Sequence, residues 1–179
     1  MKEAGVGDLT ENNVRFTATD RLKAAIIGLS LGCSFSEVSS LLDWRDFEIF
    51  AREIFERNEY QAVANVRINR PRVQIDVLAY KGSSATCVDC KHWGTPRGPS
   101  AMRAIAISQL LRTKALMRSQ WSRRLTIKEA IPLVITLREE NKPMAEGVPI
   151  VPVDKLQNFV ANIEAFRDQA VVISRFKQP

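Results

Sequence analysis

The chain predicts an α/β fold, with a mixed central sheet flanked by helices. Three observations carry this. Residues 60–93 hold three apolar, two-residue-period runs separated by short turn signals. A segment with helical spacing precedes them at 44–57, and another follows at about 100–119. A β-branched run at 131–137 comes next, so the order reads α-β-β-β-α-β. The 179 residues are 45% hydrophobic and 26% charged, which suits one water-soluble domain with at most a small appendage. The longest apolar run, 24–33, is too short to span a bilayer. No charged-then-apolar leader opens the chain, and three cysteines without a disulfide framework fit a reducing compartment. The expected location is cytoplasmic, with no membrane partner.

Taken in order, residues 1–16 are polar, contain Gly5 and Gly7, and predict a loose terminus. Thr17-x-x-Asp20 and Ser34-x-x-Glu37 are capping boxes or near variants. The first opens an apolar helix over 21–31 closed by Gly32, and the second a short helix to Leu42. Two helices across a Gly turn resemble a helix-turn-helix, but a helical collar packed on the main body is the simpler expectation. Residues 1–43 are therefore expected to be an N-terminal helical extension and 44–179 the main domain. Asp43 caps a helix over 44–57, with Phe47, Phe50, Ala51 and Ile54 as its buried stripe. Glu48 lies at the edge of that stripe.

Strands are expected over 60–68, 72–80 and 85–93, joined by Asn69-Arg70-Pro71 and Lys81-Gly82-Ser83-Ser84. Short turns make them an antiparallel meander. A Pro-containing loop at 95–99 opens the helix over 100–119, with Ala104, Ile107, Leu111 and Ala115 on one stripe. A fifth strand at 147–153 contains Pro149 and Pro152, which confine it to an edge or make it irregular. Asp154 is expected to cap a last helix to Phe166, and 170–174 to add a final strand.

Net charge is +6, and its distribution says more than its sum. From His92 to Lys128 there are eight lysines and arginines and no acid: Arg97, Arg103, Arg112, Lys114, Arg118, Arg123, Arg124 and Lys128. Such a block is either a phosphate-binding face or a solvated helix face, and charge alone does not choose between them.

The chemistry-bearing stretch is Cys87-Val-Asp89-Cys90-Lys91. Side chains alternate along a strand, so Asp89 and Lys91 share a face and Cys90 takes the other. Asp76 interrupts the apolar preceding strand, where an unpaired charge costs several kcal/mol, by rough estimate. A meander can set Asp76 beside Asp89, and two carboxylates within about 4–6 Å repel each other unless a cation relieves them. Oxygen ligands favour magnesium or manganese over zinc, and the Cys90 backbone carbonyl offers a further oxygen. Lys91 can stabilise an attacking hydroxide or developing phosphorane charge, and Glu48 can hold water or a second ion. The rival C-x-x-C reading fails on geometry, since Cys87 and Cys90 fall on opposite faces of a strand. An Asp–Lys salt bridge without chemistry is the other alternative.

Asp76, twelve intervening residues, then Asp89-Cys90-Lys91 resembles the PD-(D/E)xK nuclease superfamily, the restriction-endonuclease-like fold. Trp44-Arg-Asp-Phe-Glu48 through Tyr60 is similar to the opening helix of its restriction-endonuclease and archaeal Holliday-junction-resolvase-like branches. The likeness covers about 44–166. It implies an active site of Glu48, Asp76, Asp89 and Lys91, with metal ligation by Asp76, Asp89, Cys90 and Glu48. It further implies a Mg2+ cofactor with Mn2+ as substitute, no small-molecule cofactor, and hydrolysis of DNA. Ile75 stands where many members carry Pro, and Asp89 where Glu is commoner.

Candidate DNA contacts are Arg70, Arg72, His92, Arg97, Arg103, Arg112, Lys114 and Arg118, with Arg67 beside the first turn. Each has a solvated alternative, and Trp93 is read as core. Gln109 is expected to face solvent, although some branches use a Gln in this helix. Two strands of duplex suggest a homodimer. The alternatives to a DNA nuclease are an inactive DNA-binding module with the same fold, or an RNA-processing nuclease.

Overall fold

The computed structural model describes residues 7–10, 13–33, 42–91 and 97–175. The predicted helix over 34–42, together with His92 and Trp93, lies outside those residues apart from Leu42. Helix α1 (Ala18–Ser30) begins three residues before the predicted 21–31, directly after Thr17, and α2 (Trp44–Arg57) matches its predicted span. The Asp20 N–H donates to Thr17 Oγ1, and Asp20 Oδ2 accepts from the Thr17 N–H at 2.9 Å. Asp43 and Asp46 form the same reciprocal box at α2, and Asp46 also pairs with Arg21 of α1.

Strands β3 (Gln61–Asn69), β4 (Arg72–Lys81) and β5 (Ser84–Lys91) form the expected antiparallel meander. The chain then crosses through α3 (Pro99–Arg118) and the short α4 (Gln120–Arg124) to β6 (Glu129–Thr136), which lies parallel to β5. Parallel pairing needs such a crossover, and α3 supplies it. Strands β7 (Met144–Ala145) and β8 (Val148–Pro152) complete the main path, giving the order β3-β4-β5-β6-β8-β7. A two-residue β9 (Ile173–Ser174) pairs with the start of β6, so this sheet has seven strands among the described residues. β8 runs parallel to β6 despite its prolines, and only two residues of β7 cover its other side.

Two apolar layers hold the sheet. On one face, Phe47, Ala51, Ile54 and Phe55 of α2 pack with Val77, Ala79, Val88, Leu133 and Ile135. Leu22 and Ala25 of α1 join them, with Leu156 and Phe159 of α5 (Leu156–Ala161). On the other, Ala115, Leu116 and Met117 of α3 pack with Ile75, Leu78, Ala85, Cys87 and Ala130. Truncating a fully buried Phe such as Phe47 costs about 3–5 kcal/mol. None of the described helices is long and apolar enough to cross a membrane.

The hairpin β3–β4 contributes to both layers. Ala62, Val77 and Ala79 belong to the α2 side, whereas Val66, Ile68 and Ile75 join the α3 side. Alternation alone would keep Ala62 with Val66, and Val77 with Ile75. The change falls at Asn65, whose φ of 56° is left-handed. Asn tolerates that region better than other residues with a side chain.

Four sequence expectations need correction. Residues within the predicted loose terminus form a hairpin, β1 (Asp8–Thr10) with β2 (Asn13–Arg15). Three-residue strands are too short to show a period. The predicted stripe of α3 is out of phase, because Ala104, Ile107 and Leu111 are exposed and only Ala115 is buried. The buried face is Met102, Ala106, Gln109, Thr113 and Leu116. It keeps the helical period but includes two polar residues, Gln109 and Thr113, whose side chains each donate to a backbone carbonyl. Asp154 does not cap a long helix. It lies in a 3-10 turn, Val153–Lys155, and the helix breaks at Asn162 between α5 and α6 (Ile163–Phe166). The last correction is Gln109, described below.

Candidate active site

The β4–β5 register sets Val77 opposite Val88 and Leu78 opposite Cys87. Continued by one residue, it sets Asp76 opposite Asp89. Asp76 Oδ2 accepts a hydrogen bond from the Cys90 N–H at 2.8 Å, so this carboxylate also holds the β5 backbone. Asp89 is 4% exposed and lies between two cations. Lys91 Nζ is 2.9 Å from its Oδ2, and Arg112 Nη1 of α3 is 3.0 Å from its Oδ1. Both are ion pairs by distance, yet Asp89 Oδ2 and Arg112 Nη1 make no well-aligned hydrogen bond.

Glu48 enters from α2, 5% exposed. Its Oε2 accepts from Asn65 Nδ2 at 3.0 Å, and Asn65 Oδ1 accepts from Gln74 Nε2 at 2.9 Å. Burial, then the neighbouring charge of Asp76, push Glu48 from an ordinary 4.5 up to about 7, against the Asn65 hydrogen bond. Burial also raises Asp76, with Asp89 adding to the effect; the Cys90 N–H, Lys91 and Arg112 oppose it. These mutual effects place Glu48, Asp76, Asp89, Lys91 and Arg112 in one electrostatic neighbourhood.

Gln109 is fully buried, a correction to its expected solvent exposure. Its Nε2 donates to the Cys87 carbonyl at 2.7 Å, its backbone carbonyl accepts from Thr113 Oγ1 at 2.9 Å, and its Oε1 makes no hydrogen bond among the described residues. The helix is pressed against β5, and a buried backbone carbonyl needs a donor.

The matching family is described as restriction endonuclease, and it covers residues 40–116, from just before α2 through most of α3. That span holds Glu48, Asp76, Asp89, Lys91, Gln109 and Arg112. The chain belongs to the PD-(D/E)xK nuclease superfamily. An uncharacterized protein of Archaeoglobus fulgidus is 30% identical over 127 residues, covering 69% of this chain and 93% of that protein. A crystal structure of a protein of unknown function, AF1548, aligns at 13% identity with a TM-score of 0.42. The alignment covers 62% of this chain and 64% of that one, just under two thirds.

Membership of the PD-(D/E)xK superfamily supports a nuclease of the restriction-endonuclease-like kind, a group that typically uses divalent metals. The residues fit such an ion. Asp76 and Asp89 are hard oxygen donors on adjacent strands, and the buried Asp89 Oδ2 makes no hydrogen bond. No three His, Cys, Asp or Glu side chains cluster closely enough to share an ion among the described residues. A cation here would therefore rest on the two aspartates and backbone oxygen. The Cys90 side chain packs toward the α2 layer while Cys87 lies in the α3 layer, so the two sulfurs stand on opposite faces. Burial pushes the Cys87 thiol up to about 12 and the Cys90 thiol well above its usual range.

The basic residues divide. Arg112 turns inward onto Asp89. Arg103 pairs with Glu146 at 2.9 Å, and the Arg97 backbone N–H donates to Glu140 at 3.3 Å. Lys114 and Arg118 on α3, and Arg70 and Arg72 at the hairpin turn, are exposed. A hollow of about 520 Å3 lined by Arg57, Tyr60, Lys81 and Glu164 lies at the far end of α2 and includes none of Glu48, Asp76 and Asp89.

Sequence reasoning missed Asn65, Gln74 and the inward role of Arg112. Asn65 left a signal: a strand-disfavoured, turn-prone residue inside the run Ala-Val-Ala-Asn-Val. Arg112 left none, since its partner is distant in sequence.

Proposed function

We propose that this protein is a magnesium-dependent nuclease that hydrolyses DNA phosphodiester bonds, with manganese as a substitute cation. One observation carries the reading: Asp76 and Asp89 sit on the adjacent strands β4 and β5, with Asp76 accepting from the Cys90 N–H at 2.8 Å and the Lys91 ammonium 2.9 Å from Asp89. The aspartates, with backbone oxygen of Cys90, would hold the cation. When bound, the cation would polarise a phosphoryl oxygen and neutralise developing negative charge.

The chain's own residues do the rest. Lys91 brings its ammonium to 2.9 Å from Asp89 on a largely covered side chain. That charge favours the extra negative charge of a pentavalent transition state over the ground state. Glu48, held by the Asn65 amide at 3.0 Å, is the group to accept a proton from a water beside the phosphate. Lys114, Arg118, Arg70 and Arg72 contribute sequence-independent contacts to the sugar-phosphate chain. A homodimer would let two such sites address two strands.

A panel of branched, duplex and single-stranded DNAs, with RNA alongside, tests this with magnesium or manganese present. Cleavage by wild type and none by Asp76→Asn is the expected result. Binding without cutting, in either metal, overturns catalysis and leaves a nucleic-acid-binding module. Cutting of RNA alone reassigns the substrate.

A further inference from the structure

We infer that Asn65 is a positioning residue for the reaction: it holds the Glu48 carboxylate in place and is itself oriented by Gln74. The inference rests on the nuclease reading above and extends it to a pair of side chains outside the acid and lysine set.

The argument begins with the backbone. Four residues other than glycine have positive φ among the described residues: Glu59, Asn65, Thr126 and Glu146. Three lie in turns, and Asn65 alone lies inside a strand. A left-handed position is served at least as well by glycine, which has no Cβ to clash. The side chain at 65 therefore needs a use of its own.

Both ends of its amide have one. Nδ2 donates to Glu48 Oε2 at 3.0 Å, and Oδ1 accepts from Gln74 Nε2 at 2.9 Å. The second bond decides the first, since an amide whose oxygen is engaged by a donor must turn its own donor the other way. Glu48 thus meets an N–H rather than a carbonyl. Among the described residues, Asn65 makes the one side-chain hydrogen bond to that carboxylate. The bond also crosses elements. It links α2 to β3, and through Gln74 to β4, between the Ala64–Val77 and Val66–Ile75 pairs, the interval that holds Asn65 on one strand and Asp76 on the other. A carboxylate on a helix is thereby set relative to one on the sheet, which is the relationship a shared reaction site must keep constant.

Four variants test the inference: Asn65→Gly, Gln74→Ala, Glu48→Gln, and Asn65→Gly combined with Glu48→Gln. Glycine accepts the left-handed backbone, so Asn65→Gly removes the amide with little strain. Gln74 is exposed, and Gln74→Ala keeps the test alive if the glycine variant folds poorly. The expected result for Asn65→Gly is a kcat lower by roughly tenfold or more, the scale for residues that orient reaction-site ligands. DNA KM should stay near wild type. Gln74→Ala should show a smaller loss of the same kind, and Asn65→Gly should add nothing in the Glu48→Gln background, because residues acting through one group are not additive. Wild-type kcat in Asn65→Gly, or a full further loss when it is combined with Glu48→Gln, overturns the inference. If wild type cuts nothing, the nuclease reading fails and the reaction role with it. The same cycle on the denaturant midpoint at pH 8 then still tests the contact, and additive shifts there overturn that too.

Discussion

The Cys90 N–H donates to Asp76 Oδ2 at 2.8 Å, so one of the two site aspartates also serves as a structural acceptor for the strand that carries the other. The chemical and architectural duties of Asp76 can be separated by substitution. Asp76→Asn keeps an oxygen for the Cys90 N–H and removes a charge that burial disfavours. It should abolish cleavage while leaving stability equal to or above wild type. Asp76→Ala leaves that N–H without its partner and should cost about 1–3 kcal/mol. Urea denaturation of both variants, beside a cleavage assay, checks the pair.

Glu48 makes stability depend on pH in a defined direction. Its folded value of about 7 exceeds its ordinary 4.5, so the folded state holds the proton more tightly. The contribution is complete below about 4.5 and is lost as pH rises toward 7 and beyond. In metal-free buffer, the melting temperature of wild type relative to Glu48→Gln should therefore fall across that interval. A constant difference between the two proteins from pH 4 to 8 would contradict it.

Arg112 neutralises Asp89 from the helix side at 3.0 Å. Arg112→Ala leaves a buried carboxylate with Lys91 as its remaining ion-pair partner. Because the Arg112 side chain keeps partial solvent contact, the expected loss is about 1–2 kcal/mol, below that of a fully buried pair. Adding Asp89→Asn should recover part of that loss in a double-mutant cycle read by denaturation.

The phase of α3 can be tested with two substitutions. Leu111 is 59% exposed, and Leu111→Lys should change stability by less than about 0.5 kcal/mol. Gln109 is fully buried against the Cys87 carbonyl. Gln109→Ala, which opens a cavity and leaves that carbonyl without its donor, should cost about 2–4 kcal/mol. Calorimetric melting of both gives the answer, and equal effects would place the helix in the wrong rotation.

If Lys114 and Arg118 touch phosphate, each alanine variant should weaken DNA binding on all sequences alike. Each should also lower the slope of log affinity against log salt by roughly 0.9 for duplex DNA. Titration by fluorescence anisotropy at several salt concentrations reads the slope.

What could be read before the structure followed from local physics. Asp43 and Asp46 cap α2, and Phe47, Phe50, Ala51 and Ile54 repeat on its buried face, so that helix was legible. Short polar turns forced the meander, and strand alternation alone put Asp89 and Lys91 on one face and Cys90 on the other. The misses came from interactions between distant segments. Counting apolar residues rotated α3, because Gln109 and Thr113 go inside once the Cys87 and Gln109 carbonyls accept their hydrogen bonds. Asn162 ended a helix that the apolar pattern continued. Asn65 was absorbed into a strand because its neighbours on both sides favour one, and its partners Glu48 and Gln74 sit on other elements.

The exchange of sides along β3–β4 has a consequence for dissection of the protein. The tip of that hairpin, at Val66, Ile68 and Ile75, is covered by residues from the end of α3 onward, and Trp121 of α4 donates to the Arg67 carbonyl. The strip 40–116 recognised as restriction endonuclease thus encodes the reactive groups but omits the lid over its own hairpin, as well as β6, the neighbour β5 depends on. Excised alone, it would expose greasy surface on a dangling ribbon and an open strand margin, a recipe for clumping. The smallest piece able to stand by itself must run on past the parallel return strand.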